Sequence, residues 1–336
     1  MRNETRLKFD GYLNQVAKLN GITSAIVKFN VLPSVQQSLE TAIQESSAFL
    51  GRINLIGVTE QEGEAILLGV NGPIASRTNT GAGNRRNPAQ RQTLAKDSYA
   101  CKQTNFDSAF PYALIDAWAK FPDFQTRLTA AIAQRQALDR IMIGFNGTAA
   151  APATDIATSP MLEDVNIGWL QKIRVGAPDR VLDEVVAASG KVTVGATGDY
   201  KTLDGVVFDA VQMLEPWHRN RPDLVVMISR DLMHDKLLAA VEKGATSNQE
   251  ENAAQEIMSR ARVGGLPPVD APFFPAGTVL VTTLSNMSIY FQEGARRRHV
   301  KDEPEYDRIA DYQSSNDAYV IEDFGLVALV ENIEAV

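Results

Sequence analysis

Residues 124–147 read FQTRLTAAIAQRQALDRIMIGFNG. Phe124, Leu128, Ala131, Ile132, Leu138, Ile141 and Met142 recur at spacings of three and four, which sets them on one helical face. Gln125, Arg127, Gln134, Arg135 and Arg140 fill the opposite face. Pro122 stands where a first helical turn has no use for its missing N–H. Gly144, Asn146 and Gly147 supply a stop. The spacing predicts a long helix over 122–143. A shorter helix around 112–120, carrying Trp118, precedes it.

On the N-terminal side, Phe9, Tyr12, Leu13, Val16 and Ala17 share a helical stripe within 5–19, stopped by Asn20-Gly21. This helix is either an amphipathic surface element or one that docks on a partner. A second helix is predicted over 34–50, with Val35, Leu39, Ala42, Ile43, Ser46 and Leu50 as its stripe and Gly51 as a left-handed cap. Ile53 to Val70 and Thr93 to Phe106 read as two extended arms around the polar segment GPIASRTNTGAGNRRNPAQRQ. The first arm reaches on the order of 60 Å at about 3.4 Å per residue. An isolated two-stranded ribbon is marginal in water, so this hairpin either folds back on its own domain or lies across another molecule. Within 77–102, Arg77, Arg85, Arg86, Arg91, Lys96 and Lys102 face Asp97 alone, six minus one giving +5.

On the C-terminal side, TAAAPATDIATSP at 148–160 is a small-residue linker. Beyond it the texture is mixed. Helices are predicted at 168–174, 199–215, 230–243 and 250–261, and strands at 224–229, 278–284 and 286–292. Residues 301–323 hold two basic and eight acidic residues, a local charge of −6.

The 336 residues carry 33 Lys+Arg against 41 Asp+Glu, a net charge of −8 that argues against a dedicated nucleic-acid binder. At 44% apolar and 22% charged, the composition excludes a disordered or collagenous chain. The N-terminus has no uninterrupted apolar run, and no stretch is long enough to span a membrane. A lone Cys101 permits no intrachain disulfide. His218, His234 and His299 fit no metal-ligand spacing. No GxSxG or GxxxxGK[ST] motif occurs, and Gly81-Ala82-Gly83 lacks the strand–turn–helix context of a dinucleotide site. Neither a catalytic group nor a cofactor is singled out. An enzyme whose active-site residues converge from distant positions stays open.

Six passages carry a resemblance: MRNETRLKFDGYL at the start, PSVQQSLETAIQESSAFLGRINL at 33–55, the run at 124–147, SPMLEDVNIGWLQKIR at 159–174, LEPWHRNRPDLVVMISRDL at 214–232 and GGLPPVDAPFFPAGTVLVTTLSNMSIYFQ at 264–292. Taken in order over nearly the whole chain, they resemble the major capsid proteins of Peduovirus-type tailed phages. The resemblance implies an α+β Hong Kong 97-type capsid fold. It implies an N-terminal segment 1–29 removed on maturation near Phe29-Asn30, an arm over 30–52 and an extended hairpin loop over 53–106. It further implies a peripheral domain from 107–165 and 289–336 with a long spine helix, and an axial domain over 166–288. The expected role is a non-enzymatic shell subunit, without cofactors. It would form pentamers and hexamers of an icosahedral virion head that encloses double-stranded DNA, assembled in the host bacterial cytoplasm. Expected partners are further copies, a scaffold-protease protein, a portal at one vertex and packaged DNA held non-specifically, with no membrane. Arg77, Arg85, Arg86 and Arg91 are candidate intersubunit contacts toward an acidic surface such as 301–323. Arg127, Arg135, Arg140 and the Arg296-Arg297-Arg298 run are candidates for facing DNA, although a strand edge or intersubunit role suits the latter better. A cellular nanocompartment of the same fold is the related alternative.

Overall fold

The computed structural model describes residues 1–70, 75, 77, 92–118, 124–234, 236 and 262–336. Its helices are α1 (Asn3–Leu19), α2 (Pro33–Glu45), α3 (Tyr112–Trp118), α4 (Phe124–Asn146), α5 (Trp169–Gly176) and α6 (Leu203–Met213). Its first strands are β1 (Phe29–Asn30), β2 (Asn54–Val58), β3 (Glu62–Val70), β4 (Gln92–Ala100), β5 (Lys102–Asn105) and β6 (Ser108–Pro111). Next come β7 (Val181–Leu182), β8 (Val192–Val194), β9 (Val225–Ile228), β10 (Pro268–Val269), β11 (Val279–Thr282) and β12 (Met287–Gln292). The last are β13 (Arg297–Glu303), β14 (Arg308–Ile321), β15 (Ala328–Val330) and β16 (Ile333–Ala335).

The 14-residue β14 organises the larger sheet. Along one edge it pairs antiparallel first with β13 and then with β12, and along the other with β6 and then β5. Beyond β12 lies β2, in parallel register from Ser288↔Asn54 to Gln292↔Val58. Beyond β13 lies only the two-residue β1. The second sheet has the order β10-β9-β11-β15-β7. VVMI of β9, VLVT of β11 and ALV of β15 are buried throughout, as strands covered on both faces must be. Alternate residues divide between two cores. Val226, Ile228, Val279, Val281, Ala328 and Val330 pack with Leu203, Val206 and Ala210 of α6. Met227, Leu280 and Leu329 pack with Trp169, Leu170 and Ile173 of α5.

The long helix is present and runs through Gly144 to Asn146, past its predicted end. Asn146 Nδ2 closes the last turn onto the Met142 carbonyl at 3.0 Å. Pro122 lies outside the described residues. Gly144 stands in the helix because Trp169 needs its space: a Cβ there would come 2.2 Å from the indole. The indole is fully buried, donates to the Ser288 carbonyl at 2.9 Å and meets Phe145 and Tyr319 edge-on. The second predicted helix is shorter than expected. It ends at Glu45 with Ser46 as cap, and a 3-10 turn then carries Leu50 into the core. Gly51 has no left-handed conformation. The helices predicted at 230–243 and 250–261 fall largely or wholly outside the described residues.

The predicted hairpin is two-part. β2 is absorbed into the large sheet, whereas β3 and β4 pair with each other from Glu62↔Ala100 to Val70↔Gln92 and with no other described strand. At the ribbon's base the Tyr99 ring meets Tyr290 edge-on at 5.1 Å. At the C-terminus β13 and β14 do return to the sheet beside the long helix, but β15 and β16 hydrogen-bond to β11, β7 and β8. The apolar run that forms β15 suits the middle of a doubly covered sheet.

Gly144→Ala tests the Trp169 seat. Ala is the better helix former by about 1 kcal/mol, yet forcing a methyl into a filled core costs about 1–3 kcal/mol. Denaturant unfolding of the variant is expected to show net destabilisation; a neutral or stabilised variant would contradict this packing.

Candidate functional site

The fully buried guanidinium of Arg140, on α4, lies at the junction of the first segments, the long helix and β14. Arginine cannot shed its proton inside a protein, so a buried guanidinium must be matched by carboxylates. Asp317 on β14 takes Nε at 3.0 Å and Nη2 at 3.2 Å. Glu40 on α2 takes Nη2 at 3.3 Å and pairs closely with Nη1. Glu40 also accepts from Arg296 Nη1 at 2.8 Å. Arg296 Nη2 reaches Gln136 at 2.7 Å and Gln313 at 3.2 Å. Gln313 Nε2 continues to Asp311 at 3.0 Å, and Asp311 is gripped by Arg298 at 3.0 and 2.6 Å. Arg298 in turn donates to Tyr12 Oη on α1 at 2.7 Å. Three carboxylates and three guanidiniums thus balance in one continuous buried network.

Electrostatics follow the geometry. Burial alone would push the Glu40 carboxyl up, but Arg140 and Arg296 outweigh it and hold the group below its ordinary value. Burial dominates at Asp317 and pushes it up, against the pull of Arg140. Burial works against the charge on Arg140, but Asp317 and Glu40 raise its pKa further. Arg296, sharing its carboxylate with Arg140, is lowered by burial.

This network corrects several expectations. Arg140 and Arg296 do not face DNA; both are sealed inside. Arg135 forms a helical pair with Asp139 at 2.7 Å. The buried side of α2 includes Gln36, Glu40 and Ile43, so polar residues occupy what the apolar pattern assigned to solvent. The signal was present in the sequence. Gln36/Glu40 and Gln136/Arg140 are polar pairs at i,i+4, and Asp311, Gln313, Ser315 and Asp317 form a polar stripe of period two.

The acidic segment is mostly engaged within the chain. Asp302 pairs with Arg6 and Tyr112, Glu303 with Arg308, and Asp311 and Asp317 with the network. Glu322 accepts from Tyr290 at 3.1 Å, and Asp323 meets His218 at 3.0 Å. Glu305 and Asp307 are exposed and have no described ion pair. Arg77 is exposed, while Arg85, Arg86 and Arg91 lie outside the described residues. Phe29 and Asn30 form the edge strand β1, paired with Arg298 and Arg297. Phe29 itself is buried against α1.

His299 stacks on Tyr312, and His234 is exposed. Among the described residues no group of three or more His, Cys, Asp or Glu could hold a metal. Burial pushes the Cys101 thiol up to about 12, away from the thiolate needed for reactivity. No described helix is long and apolar enough to cross a membrane.

The sequence model of the family described as phage major capsid protein, P2 family, matches residues 8–333. The capsid protein of Escherichia phage P2 is 46% identical over 342 residues, covering 99% of this chain and 96% of its own length. The major capsid protein of Serratia phage KSP20 is 42% identical over 340 residues, covering 99% and 97%. Among solved structures, a chain of the satellite phage P4 procapsid that includes the size determination protein superposes with a TM-score of 0.82 at 43% identity, over 100% of this chain and 99% of that one. The capsid of an empty GTA particle gives 0.52 at 16% identity, over 86% and 90%, and shares the fold. The fold is of the Hong Kong 97 type.

Removing one partner from a buried pair strands the others. Glu40→Gln is expected to cost about 3–5 kcal/mol in denaturant unfolding. Because the Glu40 carboxyl is depressed in the folded state, its contribution is fully present above the ordinary value of 4.5 and is lost as pH falls from there through the lower, folded-state value. The stability gap between wild type and Glu40→Gln should therefore narrow on acidification; a gap independent of pH would contradict the assignment.

Proposed function

This chain belongs to the P2 family of phage major capsid proteins, structural proteins of the virion head, and from that premise we propose that it assembles into the pentamers and hexamers of an icosahedral shell enclosing double-stranded DNA. The observation that carries the finer reading is the β3–β4 ribbon, which pairs with no other described strand. Such a ribbon is marginal by itself and gains stability by lying on a neighbouring subunit. Val175, Phe208 and Trp217 add exposed apolar surface for contacts between copies. Heterologous contacts of this kind close into rings and then into a shell. The chain acts by shape, without catalysis.

In this reading 1–29 is the removable segment, 30–52 the arm and 53–106 the extended loop. Residues 107–165 and 289–327 form the peripheral domain, and 166–288, joined by the last strands, the axial domain. The pairing of β15 and β16 supports counting Ala328–Ala335 with the axial sheet. Cleavage near Phe29-Asn30 needs an accessible chain, so the two-residue edge strand must leave β13 and draw Phe29 out of its packing against α1. The exposed Leu7, Leu19, Ile26 and Val27 suit contact with a scaffold-protease protein before that cut. A portal at one vertex and assembly in the host cytoplasm complete the proposal. Arg77, Arg85, Arg86 and Arg91 would contact exposed carboxylates of a neighbour, such as Glu305 and Asp307, since the buried carboxylates are already engaged.

Co-expression with the cognate scaffold-protease, followed by negative-stain microscopy and N-terminal sequencing, tests this. Closed shells with subunits beginning near Asn30 are expected, and the Arg85→Glu/Arg86→Glu variant should form fewer or salt-sensitive shells. Only small species with intact N-termini would contradict the shell reading. Normal shells from the double variant would remove the proposed arginine contacts.

A further inference from the structure

Residues 1–29 are fastened to the rest of the chain at points spread along their whole length. Phe9, Tyr12, Leu13 and Val16 of α1, together with Phe29, are buried in one cluster with Ile115, Leu128, Val300 and Ile309. Those last four come from α3, α4, β13 and β14, so the seat is built entirely from residues beyond the proposed cut. Polar contacts cross the same boundary. The Arg2 N–H donates to Asp116 at 3.0 Å, and Arg6 donates to Asp302 at 3.1 Å. Arg298 Nη2 donates to Tyr12 Oη at 2.7 Å, and its guanidinium carbon lies 5.8 Å from the Tyr12 ring centroid. The Val300 N–H donates to the Ala25 carbonyl at 3.3 Å. Asn20 accepts the Leu32 N–H at 3.2 Å and donates to the Val16 carbonyl at 2.9 Å, which ties the end of α1 to the chain that follows the cut.

Hydrolysis near Phe29-Asn30 adds one water across a single peptide bond and removes none of these groups. The contacts re-form when the protease leaves, now between two molecules. One effect opposes retention: a free peptide of this length holds little helix, so leaving its seat regains chain entropy. Two effects favour it. Three aromatic rings with Leu13 and Val16 would return to water. On the other side of the seat, Val300 and Ile309 would be uncovered, and β13 would lose β1 as its partner strand and present an open edge.

We propose that the surface under α1 is a binding site for the chain's own 1–29 segment, which stays seated after the cut, so that cutting and release are separate steps. The inference rests on the reading that this segment is severed, and it assigns a ligand to the surface beneath it. That ligand is an amphipathic helix followed by a short strand that ends in an aromatic ring. While the seat is occupied, the exposed Leu7 and Leu19 leave the outward side of α1 available to a partner. At an effective concentration of about 1 mM for a short tether, a segment seated about 99% of the time when tethered binds with a Kd of about 10 µM once cut.

The test uses the full chain with a site-specific protease sequence inserted between Val27 and Lys28, both exposed. A fluorophore is placed on Gln15→Cys, an exposed position of α1, and the buried Cys101 does not compete for it. The peptide so freed lacks Phe29, which makes the test the stricter one. Label anisotropy is followed as the cut chain is diluted. It is expected to hold at the uncut value at about 50 µM and to fall on dilution below about 10 µM. Unlabelled peptide 1–27 in excess should displace the labelled segment. Leu13→Ala is expected to raise the Kd at least about tenfold, whereas Leu7→Ala, on the exposed side of the same helix, changes it less than about twofold. Measuring Leu13→Ala uncut, where the tether holds the segment in place, separates lost binding from lost folding. Anisotropy that drops to the free-peptide value on cutting at about 50 µM would overturn the proposal, as would equal effects of Leu13→Ala and Leu7→Ala. The engineered cut does not depend on the cognate protease. Shells whose subunits keep intact N-termini would therefore fail the cleavage reading and leave the result at the seat standing, whereas a freed peptide alongside normal cleavage in shells would fail this inference alone.

Discussion

A single fully buried guanidinium, Arg140, sets the constraint that the rest of the subunit satisfies. Removing such an ion from water costs several kcal/mol, offset only by well-placed carboxylates and filled hydrogen-bonding positions. Glu40 and Asp317 meet that demand from segments 100 and 177 residues away in sequence. Arg296 shares Glu40, and the chain of contacts runs on through Gln313, Asp311 and Arg298 to Tyr12. The network therefore fixes α2, the long helix, β13 and β14 in one relative arrangement. An apolar patch would permit several nearby packings, whereas interlocked charges leave all but one short of a partner.

This rigidity is confined to the body. The main core, around Trp169 and Ile141, shares no buried residue with the cluster that holds α1, formed by Phe9, Leu13, Val16, Ile115, Leu128 and Val300. The first segment can thus be lost without opening the main core. Among the described residues the β3–β4 ribbon adds none to either core and is tied at its base by Tyr99 and Tyr290. A rigid centre with separately attached extensions suits the proposed shell subunit, in which neighbours would grip the extensions while the body keeps its shape.

Much of this was legible in the sequence where burial follows apolar periodicity. Phe9, Tyr12, Leu13, Val16 and Ala17 are buried on α1 as their spacing predicts, and the apolar runs at 224–229 and 278–284 are buried strands. The charge network was not legible by that rule, because it inverts it. Glu40 and Arg140 look like solvent-facing residues on amphipathic helices, and only their distant partners make burial tolerable. The acidic surplus at 301–323 misled for the same reason: a local charge count does not reveal that Asp311 and Asp317 point inward. Gly144 looked like a stop because its role is set by Trp169, a neighbour in space.

The most direct test of this account is a double-mutant cycle between Arg140→Met and Asp317→Leu, read by denaturant unfolding of the unassembled chain. Either change alone leaves the network with an unmatched charge, whereas both together leave Glu40 paired with Arg296. The account predicts that each single variant loses about 3–5 kcal/mol and that the double variant recovers at least about 2 kcal/mol of the summed loss. Additivity within about 0.5 kcal/mol would show that the two groups act independently and that the buried network does not organise the fold.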